Sequence, residues 1–189
     1  MEISEERKAL YQYARLRKLP EVINLGNIDN SKRISLLEDV DKTPISNDRA
    51  VKNRKGVYGV EHDYSTPAGK TYNQRHIDKL IKLTRFAECL ENFVDIFDWR
   101  YAELEKDSSI PEHLDNPYYY RLIVMLKGQH EYVTYKKEKI IMSENEVWFV
   151  NPAYHHSVKN ITDGKRIALL GKIEINENNT KLLRDRTRK

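Results

Sequence analysis

Between Tyr118 and Ile175 the chain is a succession of short runs of Ile, Val, Leu, Tyr, Phe and Trp. They are broken by Lys127-Gly128, Ser143-Glu144-Asn145, Asn151-Pro152 and Asp163-Gly164. Runs this short cannot carry the repeating face of a helix, whereas they match ordinary strands, and Gly, Pro, Asn and Asp supply the backbone geometry of tight turns. The pattern predicts strands at about 118–126, 130–135, 138–142, 146–151, 155–159 and 166–175. Six strands so closely spaced leave room for hairpins and short crossings, and therefore for a small all-β barrel or sandwich.

Within this stretch an ordered series of residues stands out. Arg121 opens an apolar strand, Glu146-Val147-Trp148 and Asn151 follow, then His156-Ser157-Val158, Asn160 and Arg166. In order and spacing the series resembles the aspartyl/asparaginyl β-hydroxylase-like family, whose members are Fe(II)/2-oxoglutarate oxygenases of animals, bacteria and bacteriophages. The resemblance covers roughly the last third of the chain. It implies a mainly β, α+β fold: a double-stranded β-helix (jelly-roll, cupin-like) with an N-terminal helical part packed on it. It also implies His156 as a metal ligand and Arg166, Arg121, Trp148 and Asn160 as cofactor-binding residues. Membership would be compatible with a phage-encoded protein.

The departures from the family pattern shape the functional expectation. Arg121 stands where the family has Arg-x-His, so the first histidine falls at Ile123, and a carboxylate two residues later would fall at Met125. The family's aspartate near the end of the last strand is replaced by Leu170-Gly171-Lys172. Ferrous iron needs at least two imidazoles, or an imidazole and a carboxylate, on one face. On this register the barrel is kept, iron chemistry is lost, no cofactor is bound, and the protein acts as an interaction or structural module. Two alternatives stay open. One is an active Fe(II)/2-oxoglutarate hydroxylase with the non-standard set His113, Asp115 and His156. His113-Leu114-Asp115, then His156, then Arg166 follow the general order of such oxygenases, although the Arg121 register places His113 in a loop. The other is a metal-free binder of small anions through Arg166 and Arg121. An arginine inside a barrel needs an acidic partner or an anion; Glu146 and Glu131 are candidates.

Elsewhere the sequence is less specific. Ser4 caps a predicted helix carrying Ala9, Leu10, Tyr13, Ala14 and Leu16, closed by Pro20. Ile77, Leu80, Ile81, Leu83, Phe86, Ala87, Leu90, Phe93, Val94 and Phe97 recur at three- and four-residue steps, predicting a helix over 75–97 that backs the barrel. That helix would continue through Trp99 to Glu105, hold Cys89 as a packing residue, and turn His76 and Asp78 away from a common metal. Residues 20–74 read as polar loops, and the segment after Ile175 as a frayed basic tail. The organisation is residues 1–74, a helix with long loops, and 75–189, supporting helix, barrel and tail, in one unit.

Composition limits partners and location. A net charge of +4 is too small to imply nucleic acid without a concentrated patch. The candidates for such a patch are Arg49, Lys52, Arg54 and Lys55, with the C-terminal tail. Clustered tyrosines at 118–120 and 132–135 suit a protein partner or a homo-oligomer. With one cysteine, Cys89, no signal-like apolar core and no apolar run of membrane length, a cytoplasmic protein without membrane contact is expected. No P-loop, dinucleotide fingerprint or nucleophile elbow is present in the sequence.

Overall fold

The computed structural model describes residues 4–43, 72–77, 88–93 and 96–187. The six predicted strands are present with small shifts at their ends: β5 (Tyr119–Lys127), β6 (His130–Val133), β7 (Lys139–Met142), β8 (Glu146–Val150), β9 (His156–Asn160) and β10 (Arg166–Glu174). Four more precede them: β1 (Val22–Asn27), β2 (Tyr72–His76), β3 (Ile96–Leu104) and β4 (Ser109–His113). They form two sheets with antiparallel pairing, a large one in the order β1-β8-β5-β10-β3-β2 and a small one in the order β4-β9-β6-β7. From β3 onward the chain alternates between them, except that β6 and β7 form a hairpin within the small sheet. This is the double-stranded β-helix, built as two facing sheets and not as a closed barrel.

Strand alternation divides the apolar residues between two cores. On β5, Leu122, Val124 and Leu126 join the outer core of the large sheet, while Ile123 and Met125 join the inner core with Tyr132, Met142, Trp148 and Val158. A one-residue slip of β5 would exchange these sets, so burial of both faces fixes its register. Helices α1 (Glu5–Leu16), α2 (Asn30–Val40) and α3 (Glu177–Arg186) contribute Tyr13, Leu16, Leu36, Val40 and Leu183 to the outer core. Ser4 caps α1 as expected, its hydroxyl accepting from the Arg7 N–H.

Three expectations are corrected. The stretch read as polar loops contains β1 and α2; β1 extends the large sheet by pairing Val22–Asn27 with Glu146–Val150. The helix over 75–97 is replaced at both ends by strands, β2 reaching His76 and β3 beginning at Ile96, so Trp99 to Leu104 continue a strand; residues 78–87 lie outside the described residues. Sheet pairing overrode the helical spacing, because β3 hydrogen-bonds β10 on one side and β2 on the other. The C-terminal segment forms α3, in which Leu183 is fully buried and the Arg186 guanidinium donates to the carbonyls of Leu25 and Cys89. Arg49, Lys52, Arg54 and Lys55 lie outside the described residues. Among the described residues no helix is long and apolar enough to cross a membrane.

Candidate metal centre

His113 ends β4 and pairs directly with His156, the first residue of β9. His113 is therefore on a strand of the small sheet, not in a loop ahead of the barrel. Two residues later the chain begins its crossing to the large sheet, which brings the Asp115 carboxylate back against the same spot. The ligand atoms of His113, Asp115 and His156 all lie within 4.8 Å of one another, and His113 Nε2 is 3.8 Å from Asp115 Oδ1.

Both imidazoles are oriented by the backbone. His113 Nδ1 donates to the Pro111 carbonyl at 2.8 Å, and His156 Nδ1 donates to the Tyr154 carbonyl at 3.1 Å. That places the proton on Nδ1 in each ring and leaves the Nε2 lone pair for a metal, the usual arrangement of a ligating histidine. Burial, reinforced by the neighbouring His113, pushes the His156 imidazole down to about 4, against the opposing effect of Asp115, so it is neutral at pH 7. Burial alone would raise the Asp115 carboxyl. The Arg121 guanidinium, with His156 and His113, outweighs burial and holds it well below the usual carboxylate range. Arg121 grips both oxygens, Nε to Oδ2 at 3.2 Å and Nη2 to Oδ1 at 3.3 Å. Two imidazoles, each with Nδ1 held by a backbone carbonyl, and one ionised carboxylate are the donor set of a facial 2-His-1-carboxylate centre for Fe(II). The residues present fit that ion.

Segments outside the two sheets also hold this geometry. The Tyr13 hydroxyl on α1 donates to the Asp115 carbonyl at 2.8 Å. The fully buried Asn151 amide donates to the carbonyls of Leu16, Leu19 and Pro20 and accepts from the Ala153 N–H, fixing the turn that leads into His156. Arg17 donates to the Ala153 carbonyl, and the Tyr154 hydroxyl donates to the Arg17 carbonyl. Thus α1 and the turn after it brace the segments carrying Asp115 and His156.

The other sequence candidates separate into groups. Ile123 and Met125 face the inner core, so the family's first ligand position is apolar, and the candidate ligand set begins one strand earlier. His76 ends β2, not a helix. Trp148 packs in the inner core with its Nε1 donating to Glu146. Asn160 donates to the carbonyls of Leu104, Glu105 and Gly164, which makes it a lock on the β9–β10 turn. Arg166 is buried where β10 begins and donates from Nη1 to the Ala102 carbonyl at 3.3 Å. Of its two suggested partners, Glu146 accepts from the Ser143 N–H and Trp148, and Glu131 pairs with Lys139.

Sequence reasoning missed Tyr132, His130 and Tyr13. Tyr132 stacks on His156, ring centroids 5.0 Å apart and 15° between planes. Its position two residues after His130 on one strand was visible in the sequence, but nothing local reports what that face meets. The open hollow lined by Gly128, Gln129, Ser143, Glu144, Ile161, Thr162 and Asp163 includes none of the three candidate ligands.

Comparison with known proteins agrees with this architecture. No curated protein matches the chain. A 2OG-Fe(II) oxygenase-family oxidoreductase from Burkholderia pseudomallei is similar at 16% identity and TM-score 0.54, over 94% of this chain and 95% of that one. A viral collagen prolyl hydroxylase from Paramecium Bursaria Chlorella virus-1, solved as a 2OG complex, is similar at 14% identity and TM-score 0.51, over 83% of this chain and 96% of that one. At such identities the likeness establishes the fold. The family model described as Aspartyl/Asparaginyl beta-hydroxylase matches residues 57–175, more than half of the sequence. The chain belongs to the aspartyl/asparaginyl β-hydroxylase family.

Proposed function

We propose that this protein is an Fe(II)- and 2-oxoglutarate-dependent hydroxylase whose metal ligands are His113, Asp115 and His156. The observation that carries this reading is the convergence of those three ligand groups across β4 and β9, with both Nδ1 atoms engaged by backbone carbonyls. The pairing of β4 with β9 supports the alternative set over the expectation of lost catalysis, because it sets His113 directly opposite His156. Iron in such a set supplies open coordination positions where the 2-oxo acid and dioxygen react. The chain's own residues bind and orient. Tyr132 packs flat on His156, and Arg121 keeps Asp115 ionised. Arg166 offers a buried guanidinium suited to bidentate pairing with the distal carboxylate of the cosubstrate.

The test is conversion of 2-oxoglutarate to succinate by the purified protein under air, with and without Fe(II), alongside isothermal titration of the metal. Iron-dependent succinate is expected at least in the slow reaction uncoupled from a hydroxylation substrate, and it should disappear in His156→Ala and Asp115→Ala. Wild-type protein that retains its fold but binds Fe(II) no more tightly than His156→Ala would overturn the proposal and favour the interaction-module reading.

A further inference from the structure

Helix α1 turns a basic stripe to solvent. Its inner side is fixed: Ala9, Tyr13 and Leu16 are buried in the outer core, and the Tyr13 hydroxyl donates to the Asp115 carbonyl. On the outer side Arg7, Tyr11, Arg15 and Lys18 follow at steps of four, four and three, which sets them along one line of the helix. All four are exposed, Tyr11 at 70%. Lys18 lies in the turn after the helix, where its N–H donates to the Arg15 carbonyl. Exposed Leu10 and Arg17, whose Nε donates to the Ala153 carbonyl, flank the stripe.

The charge of this stripe is not balanced locally. Exposed lysines elsewhere lie against carboxylates, Lys106 against Asp163, Lys137 against Glu112 and Lys139 against Glu131. Arg7, Arg15 and Lys18 are in no ion pair among the described residues. Cations spread over successive helical turns with an aromatic ring among them fit a flexible polyanion that carries flat groups, phosphates against the cations and a base against the ring. A folded protein partner is a poorer fit. The 12-residue helix is about 18 Å long and about 10 Å across, so its outward face offers about 180 Å², far below the ~800 Å² that each side of a stable protein interface buries. A lipid surface would need the apolar side of the helix, which is committed to the core.

We propose that α1 is a docking track for single-stranded nucleic acid, with Arg7, Arg15 and Lys18 neutralising phosphates and Tyr11 stacking on a base. The core holds the helix in place before a strand arrives, so binding orders little of the protein. Contacts to phosphates and ring faces read no base edges, and the track accepts any unpaired sequence. It needs no metal and stands apart from the hydroxylase reading. The same helix braces the segments carrying Asp115 and His156, so a bound strand lies on the support of the candidate metal centre.

The experiment is fluorescence anisotropy of a labelled oligothymidylate of about 12 nucleotides, the span of one such site, with the full chain in EDTA over a range of salt. The logarithm of the affinity should fall with the logarithm of salt at a slope of about −2, the value for three phosphate contacts on a single strand. Lys18→Gln should make that slope shallower by about 0.7, one contact. Lys159→Gln, an exposed cation on β9 far from α1 in sequence, should leave it unchanged. Tyr11→Ala should weaken binding about fivefold or more at every salt concentration with the slope unchanged, and Tyr11→Phe should keep wild-type affinity. All of these side chains are exposed, and equal urea midpoints establish that the variants fold. No binding by about 100 µM protein at about 50 mM salt overturns the proposal. So does an equal change of slope in Lys18→Gln and Lys159→Gln. Displacement of the oligonucleotide by polyglutamate at equal charge, with Tyr11→Ala at wild-type affinity, overturns it in favour of an acidic polypeptide.

Discussion

At the scale of single residues, the candidate metal centre depends on which groups hold His113, Asp115 and His156 and not only on those three. Tyr13 comes from a helix far from Asp115 in sequence, yet its hydroxyl holds the Asp115 carbonyl. Tyr13→Phe should leave the helix packed and free that carbonyl, lowering Fe(II) affinity by about tenfold, the low end for loss of an outer contact to a metal site. Titration calorimetry against His156→Ala as the null checks it. The same centre sets a pH dependence in the metal-free protein. His156 has an ordinary value of 6.5 and is pushed to about 4 on folding. Between those values the unfolded chain binds a proton that the folded chain refuses. The stability this group gives is therefore complete above pH 6.5 and is lost as pH falls toward 4. Buried His130, also lowered, acts in the same direction. Urea midpoints measured in EDTA should fall across this window, and His156→Phe should flatten part of the fall.

At the scale of elements, β3 and β10 show why periodicity misled. The steps from Ile77 to Phe97 fit a helix, but β3 is a nine-residue strand from Ile96 that pairs along most of β10. A register shift between Leu170 and Lys172 accommodates one extra residue on β3, where Asp98 adopts φ 51°. This sets the Trp99 ring against Gly171: a Cβ added there would lie 2.8 Å from Trp99 Cζ3. Gly171→Ala should accordingly cost about 1–3 kcal/mol, the usual scale of overpacking. Chemical denaturation checks it, and Trp99→Leu in the same chain should recover part of the loss. Glycine here answers to an aromatic neighbour across the sheet, which no stretch of local sequence discloses.

At the scale of the whole molecule, the ends of the chain belong to the fold. α1 and its C-terminal cap brace the segments carrying Asp115 and His156, β1 extends the large sheet, and α3 ties back to β1 through Arg186 and the Leu25 carbonyl. Leu183 on α3 is fully buried in the outer core. Leu183→Ala should destabilise the protein by about 2–5 kcal/mol, as for leucines in well-packed cores. A shift in urea midpoint with an unchanged m-value would establish it. A loss below half of one kcal/mol would return the segment to the status of a solvated tail.

The strands from Tyr119 to Glu174 were legible because each is a short apolar run bounded by turn residues, a signal that is local by nature. The family, too, was legible from the order of Arg121, Trp148, His156 and Arg166. The candidate metal centre was legible only as an alternative. In sequence His113 reads as a loop residue, and Ile123 occupies the position the family pattern reserves for a ligand. The decision needed β4 to pair with β9, since only that cross-strand contact sets His113 opposite His156 and swings Asp115 onto them. Local patterns specify which residues alternate and where the chain turns. Which strands become neighbours follows from burying both faces of the large sheet at once, and that requirement exists only in the assembled tertiary structure.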